Sequence, residues 1–315
     1  MHAQPLFFGP VFKERIWGGS NLASFGYELP FEQTGECWAF SAHPNGQSTV
    51  ENGELAGKTL GELWEQHREL FGHLPGDRFP LLTKILDANH DLSVQVHPDD
   101  GYAMEHEQGE LGKTECWYVI DCEEGAELIF GHHARTKEEL EQWIDEGTWD
   151  QLLRRIPIKK GDFFYVPSGT VHALCKGSVV LETQQNSDTT YRLYDYDRRD
   201  ASGSLRELHL DKSKDVITVP HAMDSLNIQI DAVPGKKVTQ YVNVNHFTVC
   251  KWEIDGEAEF VQDQPFLLCS VIEGEGTLIK AGMSYRLKKG MHFLVPHAFG
   301  DFKLSGSAQL IVSHV

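Results

Sequence analysis

A chain of 315 residues, 40% hydrophobic and 24% charged, carries enough apolar material for two domains of ordinary size, which excludes a disordered or fibrous polymer. Its 47 acidic against 28 basic side chains give a formal charge of -19, which argues against nucleic acid or anionic membrane as a partner. A phosphorylated small molecule stays open, because one dianion needs only two or three cations gathered in a pocket.

In chain order, residues 1–10 lack the basic start and long apolar run of a leader. No stretch approaches the roughly 18 apolar residues of a membrane span, so the cytoplasm is the expected compartment. Over 59–71 the residues Leu60, Leu63, Trp64, His67 and Phe71 share one helical face, with Thr59 as N-cap and Gly72 as stop. The runs LSVQVHP at 92–98, CWYVIDC at 116–122 and DFFYVP at 162–167 read as short strands between turn residues, the texture of a sandwich or barrel. Over 136–156 the spacing of Leu140, Trp143, Ile144, Leu152, Leu153 and Ile156 predicts two short helices broken near Gly147. Thr136 and Glu139 read as a capping box there.

A Pro- and charge-marked passage over about 202–234 reads as a spacer before a second β-rich body. The expected division is a catalytic, metal-binding domain over 1–220, with helical insertions near 59–72 and 136–156, and a degenerate domain without a metal site over 235–315. GDFFYVPSGTVH at 161–172 is matched by GMHFLVPHAFGD at 290–301, and WYVIDCEEG at 117–125 by CSVIEGEG at 269–276, so the two bodies read as a duplicated β unit. Six scattered cysteines with no C-x2-C pair read as reduced, mostly buried thiols.

Gly161, Pro167, Gly169 and His172 spell G-x5-P-x-G-x2-H, a strand, a Pro-Ser-Gly turn and a second strand that aims its histidine inward. The pattern resembles the second conserved motif of the cupins, which are small antiparallel jelly rolls with a metal inside. A histidine standing alone in such a setting is usually structural; this one has company. Gln95 and His97, at i and i+2, point to one face of a strand, and Glu115 adds a carboxylate. Two imidazoles and a carboxylate suit zinc, and also iron or manganese. In the second half Leu267 aligns with Glu115 and Asp301 with His172, so the donor set occurs once.

PLLTKILDANHDLSVQVHPDD at 80–100, GKTECWY at 112–118, VLETQQNSDTTYRLYDYDR at 180–198 and FKERIWGG at 12–19 together resemble the type I phosphomannose isomerases in their short bacterial form. The likeness extends over essentially the whole chain. It implies a mainly β fold of two cupin-type jelly rolls and an aldose-ketose isomerase that interconverts mannose 6-phosphate and fructose 6-phosphate through a cis-enediol. It further implies one zinc ion per chain on Gln95, His97, Glu115 and His172, and Arg192 as the catalytic arginine. The longer fungal and enteric relatives carry an additional helical domain, which this chain lacks.

A base beside the metal is sought among Lys113, two residues before Glu115, and Lys84 in LLTKILD; either could instead bind phosphate. Arg192 alternates with Tyr191 and Leu193 in a strand pattern that would turn its guanidinium inward, the competing reading being an ion pair with Asp195 or Asp197. Trp17, Trp38 and Trp117 read as core, with Trp17 the one to check as a sugar platform. The expected partner is a phosphorylated hexose, with no obligate protein partner. The alternatives are a sugar-phosphate isomerase of other specificity, an iron oxygenase, or a non-enzymatic sugar-binding cupin.

Overall fold

The computed structural model describes residues 4–199, 203–223 and 225–315. Residues 1–3, at the head of the segment read for a leader, and Ser202, the start of the expected spacer, lie outside them. Three antiparallel sheets organise the chain. The first has six strands in the order Phe163–Val166, Glu115–Cys122, Ser178–Gln185, Leu81–Ala88, Thr34–Phe40, Val11–Gly19. The second has five, in the order Leu153–Pro157, Glu127–His132, His172–Leu174, Val94–Val96, Tyr191–Tyr194. These two face each other as the N-terminal jelly roll.

The alternation of side chains explains why strands such as CWYVIDC are apolar almost throughout: both faces are covered. In the six-stranded sheet Trp117, Val119, Val180 and Leu86 point inward and meet Leu128, Phe130 and Leu174 of the five-stranded sheet. Cys116, Tyr118, Leu181 and Ile85 point outward and pack with Phe266, Leu268 and Ile311 of the third sheet. The outward residues of the five-stranded sheet, among them Val94, Val96, Ala173 and Leu193, are covered by Leu140, Ile144 and Leu152 from the helices Lys137–Asp145 and Trp149–Leu152.

The third sheet has nine strands, most of them from the C-terminal body, and Leu6–Gly9 and Thr49–Val50 from the front of the chain join it. Its strands repeat the N-terminal pairing. Val166 lies opposite Glu115 in one half and Val295 opposite Leu267 in the other. Gly161 and Gly290, at the corresponding turns, both take positive φ, +92° and +86°. An interior of Trp252, Phe260, Phe302 and Leu310 fills this second barrel.

Helix Leu60–Gln66 starts and stops as the sequence predicts. Thr59 and Glu62 form a reciprocal capping box, and a 3-10 turn, Arg68–Phe71, closes on Gly72 at φ +63°. Three expectations need correction. Thr136 accepts from the Glu139 amide, but the Glu139 carboxylate accepts from the Arg135 amide, so only half of that capping box forms. Ile156 is not helical. Leu153–Pro157 is an edge strand on Glu127–His132, because Pro157 disfavours the helical conformation just before it and the neighbouring strand offers a ladder. The expected spacer is also structured: Leu210–Val216 is a helix whose Leu210 and Val216 pack on the five-stranded sheet, and Gln229–Val233 is a strand of the third.

Tyr27 ties the N-terminal body to the second barrel by donating to the Gly290 carbonyl at 2.8 Å and meeting His292 Nε2 at 2.7 Å; His292 Nδ1 lies 2.9 Å from Ser270 Oγ. Burial pushes the His292 pKa down to about 3. The unfolded chain, with a histidine near 6.5, binds a proton that the folded protein refuses. Stability from this residue is therefore complete above about pH 6.5 and falls toward acid by at most about 1.4 kcal/mol per pH unit. Thermal unfolding of His292→Gln is expected to lose stability less steeply between pH 6.5 and 4 than the parent; an equal slope would rule the ring out as its source.

Candidate metal centre and active site

Two local features bring the donors together. The Pro-Ser-Gly turn needs Gly169, which has φ +84° and whose Cβ would stand 2.4 Å from Thr218 Oγ1. The Gly169 amide then donates to the His97 carbonyl at 2.9 Å, stitching the His172 turn to the His97 segment. Lys113 is drawn to the same place by its own amide, 3.0 Å from the Pro98 carbonyl. In the five-stranded sheet His172 and Arg192 each pair with Gln95, so all three share the inward face.

His97, Glu115 and His172 converge. His97 Nε2 lies 3.5 Å from Glu115 Oε2, His172 Nε2 lies 3.4 Å from Glu115 Oε1, and one donor atom from each falls within 4.8 Å of the others. Tetrahedral bonds of about 2.1 Å separate their donors by about 3.4 Å, which the two Glu115–histidine separations match, while the full spread of the three donors, 4.8 Å, would have to close around an ion. Electrostatics agree. His172 Nδ1 is 2.8 Å from the Thr170 carbonyl, which holds the proton on Nδ1 and turns the Nε2 lone pair inward. His172 Nε2 and Glu115 Oε1 are buried polar atoms without a hydrogen-bond partner. Burial, assisted by Lys113, pushes the His172 pKa down to about 3 and holds that of His97 well below its usual value, so both rings are neutral, as ligands must be. Among the described residues no second cluster of this kind occurs; Leu267, aligned with Glu115, is buried and Asp301, aligned with His172, is exposed.

A cavity of about 420 Å³ has Gln95, Lys113, Lys84 and Arg192 in its wall; His97, Glu115 and His172 lie behind that wall, reached through Lys113. Lys113 Nζ is 2.5 Å from Glu115 Oε2 and 2.9 Å from His97 Nε2. Lys84 lies deeper in the six-stranded sheet, in a cross-strand row Trp117–Glu182–Lys84–Trp38, with Nζ 3.5 Å from Glu182 Oε1. Burial opposes its charge, but Glu182, Glu36 and Asp188 outweigh burial and raise its pKa. Arg192 pairs with neither Asp195 nor Asp197; its Nη1 donates to the Glu207 carbonyl at 2.7 Å and its buried Nε has no partner. Trp38 is core. Trp17 and Trp117, though buried, also line the cavity, and the Trp117 ring meets His172 edge-on with centroids 5.2 Å apart.

Among the polar wall residues that the sequence reading missed are Glu182, Glu36, Asp188, Arg206 and Arg15. Burial and the neighbouring Glu115 charge push the Glu182 carboxyl up, while its Oε2 accepts from Trp117 Nε1 at 3.0 Å. Glu36 accepts from Arg15 Nε at 2.7 Å; burial alone would raise its pKa, but Lys84 and Arg15 lower it. Glu182 lies in the quoted block at 180–198, directly after the apolar run VVL, and carries no local mark that distinguishes it from a surface carboxylate.

A double jelly roll with two neutral imidazoles and a carboxylate converging behind the wall of a polar cavity defines a metal-binding cupin enzyme. Residues 6–120 match the family "Phosphomannose isomerase type I, catalytic domain", and residues 237–315 match "Mannose-6-phosphate isomerase, cupin domain". The chain is 62% identical to mannose-6-phosphate isomerase ManA of Bacillus subtilis (strain 168) over the full length of both, and 52% identical to a mannose-6-phosphate isomerase of Streptococcus mutans over 99% of this chain and 98% of that one. A crystal structure of the mannose 6-phosphate isomerase from Bacillus subtilis superposes with a TM-score of 0.97 at 59% identity, covering 99% of each chain. The chain belongs to the type I mannose-6-phosphate isomerases.

Proposed function

We propose that this isomerase interconverts mannose 6-phosphate and fructose 6-phosphate through a cis-enediol, with one zinc ion on His97, Glu115, His172 and Gln95 and with Lys113, Lys84 and Arg192 as its catalytic side chains. The observation that carries the reading is the pair of unpartnered buried donors, His172 Nε2 and Glu115 Oε1, beside Lys113, which lines a cavity that also holds Lys84 and Arg192. Aldose-ketose exchange moves one proton between C1 and C2 and another between O1 and O2, and the weak carbon acid needs its developing oxyanion stabilised. A zinc ion supplies that as a Lewis acid toward the carbonyl.

The rest falls to the chain. Lys113, at hydrogen-bond distance from two of the ligand atoms, takes the proton from C2 of the aldose and returns it to C1. Lys84, held as a cation by three carboxylates, donates to sugar oxygens and does not act as base. Arg192 stabilises the enediolate oxygens or the phosphate with a guanidinium that no carboxylate neutralises. The buried Trp17, Trp117 and Leu86 keep water from the carbon centre. Six unpaired thiols support a reducing, cytoplasmic setting.

A coupled assay following fructose 6-phosphate formed from mannose 6-phosphate tests the proposal. Activity is expected to disappear on chelation and to return with zinc. Return with ferrous ion alone would reassign the metal, and no turnover of the sugar phosphate by the zinc-loaded protein would remove the function.

A further inference from the structure

The charges along the cavity wall are unevenly balanced. On the side of the six-stranded sheet, Lys113, Lys84 and Arg15 face Glu115, Glu182, Glu36 and Asp188, so every cation there has a carboxylate of its own. Arg192 and Arg206 also stand in the wall, and Arg198, outside it, shares Asp195 with Arg206. Asp195 Oδ1 accepts from Arg198 Nη2 at 2.6 Å and from Arg206 Nη2 at 2.5 Å, and its Oδ2 accepts from Arg206 Nε at 2.6 Å. Two guanidiniums share the Asp195 carboxylate, and the Arg192 side chain forms no ion pair with a carboxylate among the described residues. Burial and then Arg206 lower the Arg192 pKa against the opposing pull of Asp195 and Glu207.

Arg206 stands in the cavity wall and is gripped along one edge, Nε and Nη2, by Asp195; Nη1 has no hydrogen-bond partner among the described residues. A guanidinium fixed in this way has already given up the side-chain freedom that binding would otherwise cost. We infer that Asp195 is a positioning residue that presents Arg206 to the phosphate of the substrate, which makes Arg206 a determinant of specificity for phosphorylated over neutral sugar. The inference rests on the sugar-phosphate reading above.

The full-length enzyme carrying Arg206→Ala, Arg206→Lys, Asp195→Asn or Arg206→Ala with Asp195→Asn tests it, by isomerase kinetics and by calorimetry with inorganic phosphate. Arg206→Ala is expected to raise KM for mannose 6-phosphate and Kd for phosphate each about tenfold, with kcat within about twofold of the parent. Arg206→Lys should fall between. Asp195→Asn should move both constants in the same direction, and adding it to Arg206→Ala should cost nothing more, since its effect runs through Arg206. Unchanged KM and Kd in Arg206→Ala, a loss confined to kcat, or additive losses in the double variant would overturn the inference. Should Asp195→Asn unfold, the two Arg206 variants still decide the phosphate contact. Should the parent show no isomerase activity, the calorimetry still reads that contact, which separates failure of this inference from failure of the proposed reaction.

Discussion

His97→Ala and His172→Ala are each expected to lower kcat by about a thousandfold, the several kcal/mol that loss of Lewis-acid stabilisation removes. Bound metal in the purified protein should fall with it. Neither ring has another role that would survive truncation: His97 Nε2 and His172 Nε2 stand 3.5 and 3.4 Å from the two oxygens of Glu115, and His172 is held in its ligand tautomer by Thr170. Asp301→Ala is the matched control, since Asp301 occupies the position of His172 in the second half, is exposed, and should leave activity and metal content unchanged. Metal analysis alongside kinetics checks the result. Full activity in either histidine variant would remove the metal centre from the mechanism.

Lys113→Met is expected to lower kcat by about 10²- to 10⁴-fold while metal content stays near that of the parent, the loss that follows from removing a general base. The contrast with Lys84 gives this its force. Lys84 is wedged between Glu182, Glu36 and Asp188, and removing it leaves buried carboxylates without their cation. Lys84→Met should therefore destabilise the fold by about 3–5 kcal/mol, the usual cost of breaking a buried pair by deleting one partner. Thermal unfolding and single-turnover kinetics on both variants separate the roles. A Lys113→Met enzyme with nearly normal kcat would transfer the base to another wall residue, and Glu182, whose carboxyl burial pushes up, would be the first to test.

Much of the site was legible before any coordinates. The i, i+2 spacing of Gln95 and His97 and the turn before His172 report on strands a few residues long, where a side chain's direction follows from backbone alternation alone. The same holds for the helix that starts on Thr59 and for the turn that ends it at Gly72, because capping is local chemistry. Ile156 shows the limit of periodicity: Leu152, Leu153 and Ile156 satisfy a helical face as well as an edge strand, and the pairing with Glu127–His132 decided between them.

What only the tertiary structure decided is which charges meet. Glu182 reaches Lys84 because residues 98 positions apart are paired in register across two strands, and Asp195 grips Arg206 across a loop, neither of which any local pattern encodes. The sequence by itself determined the double β body, the donor triad and its family, through spacings that act within one strand or turn. The buried carboxylates around Lys84 and the guanidiniums gathered on Asp195 required the fold, because whether a charge is a ligand, a counterion or a surface group depends on neighbours distant in the chain.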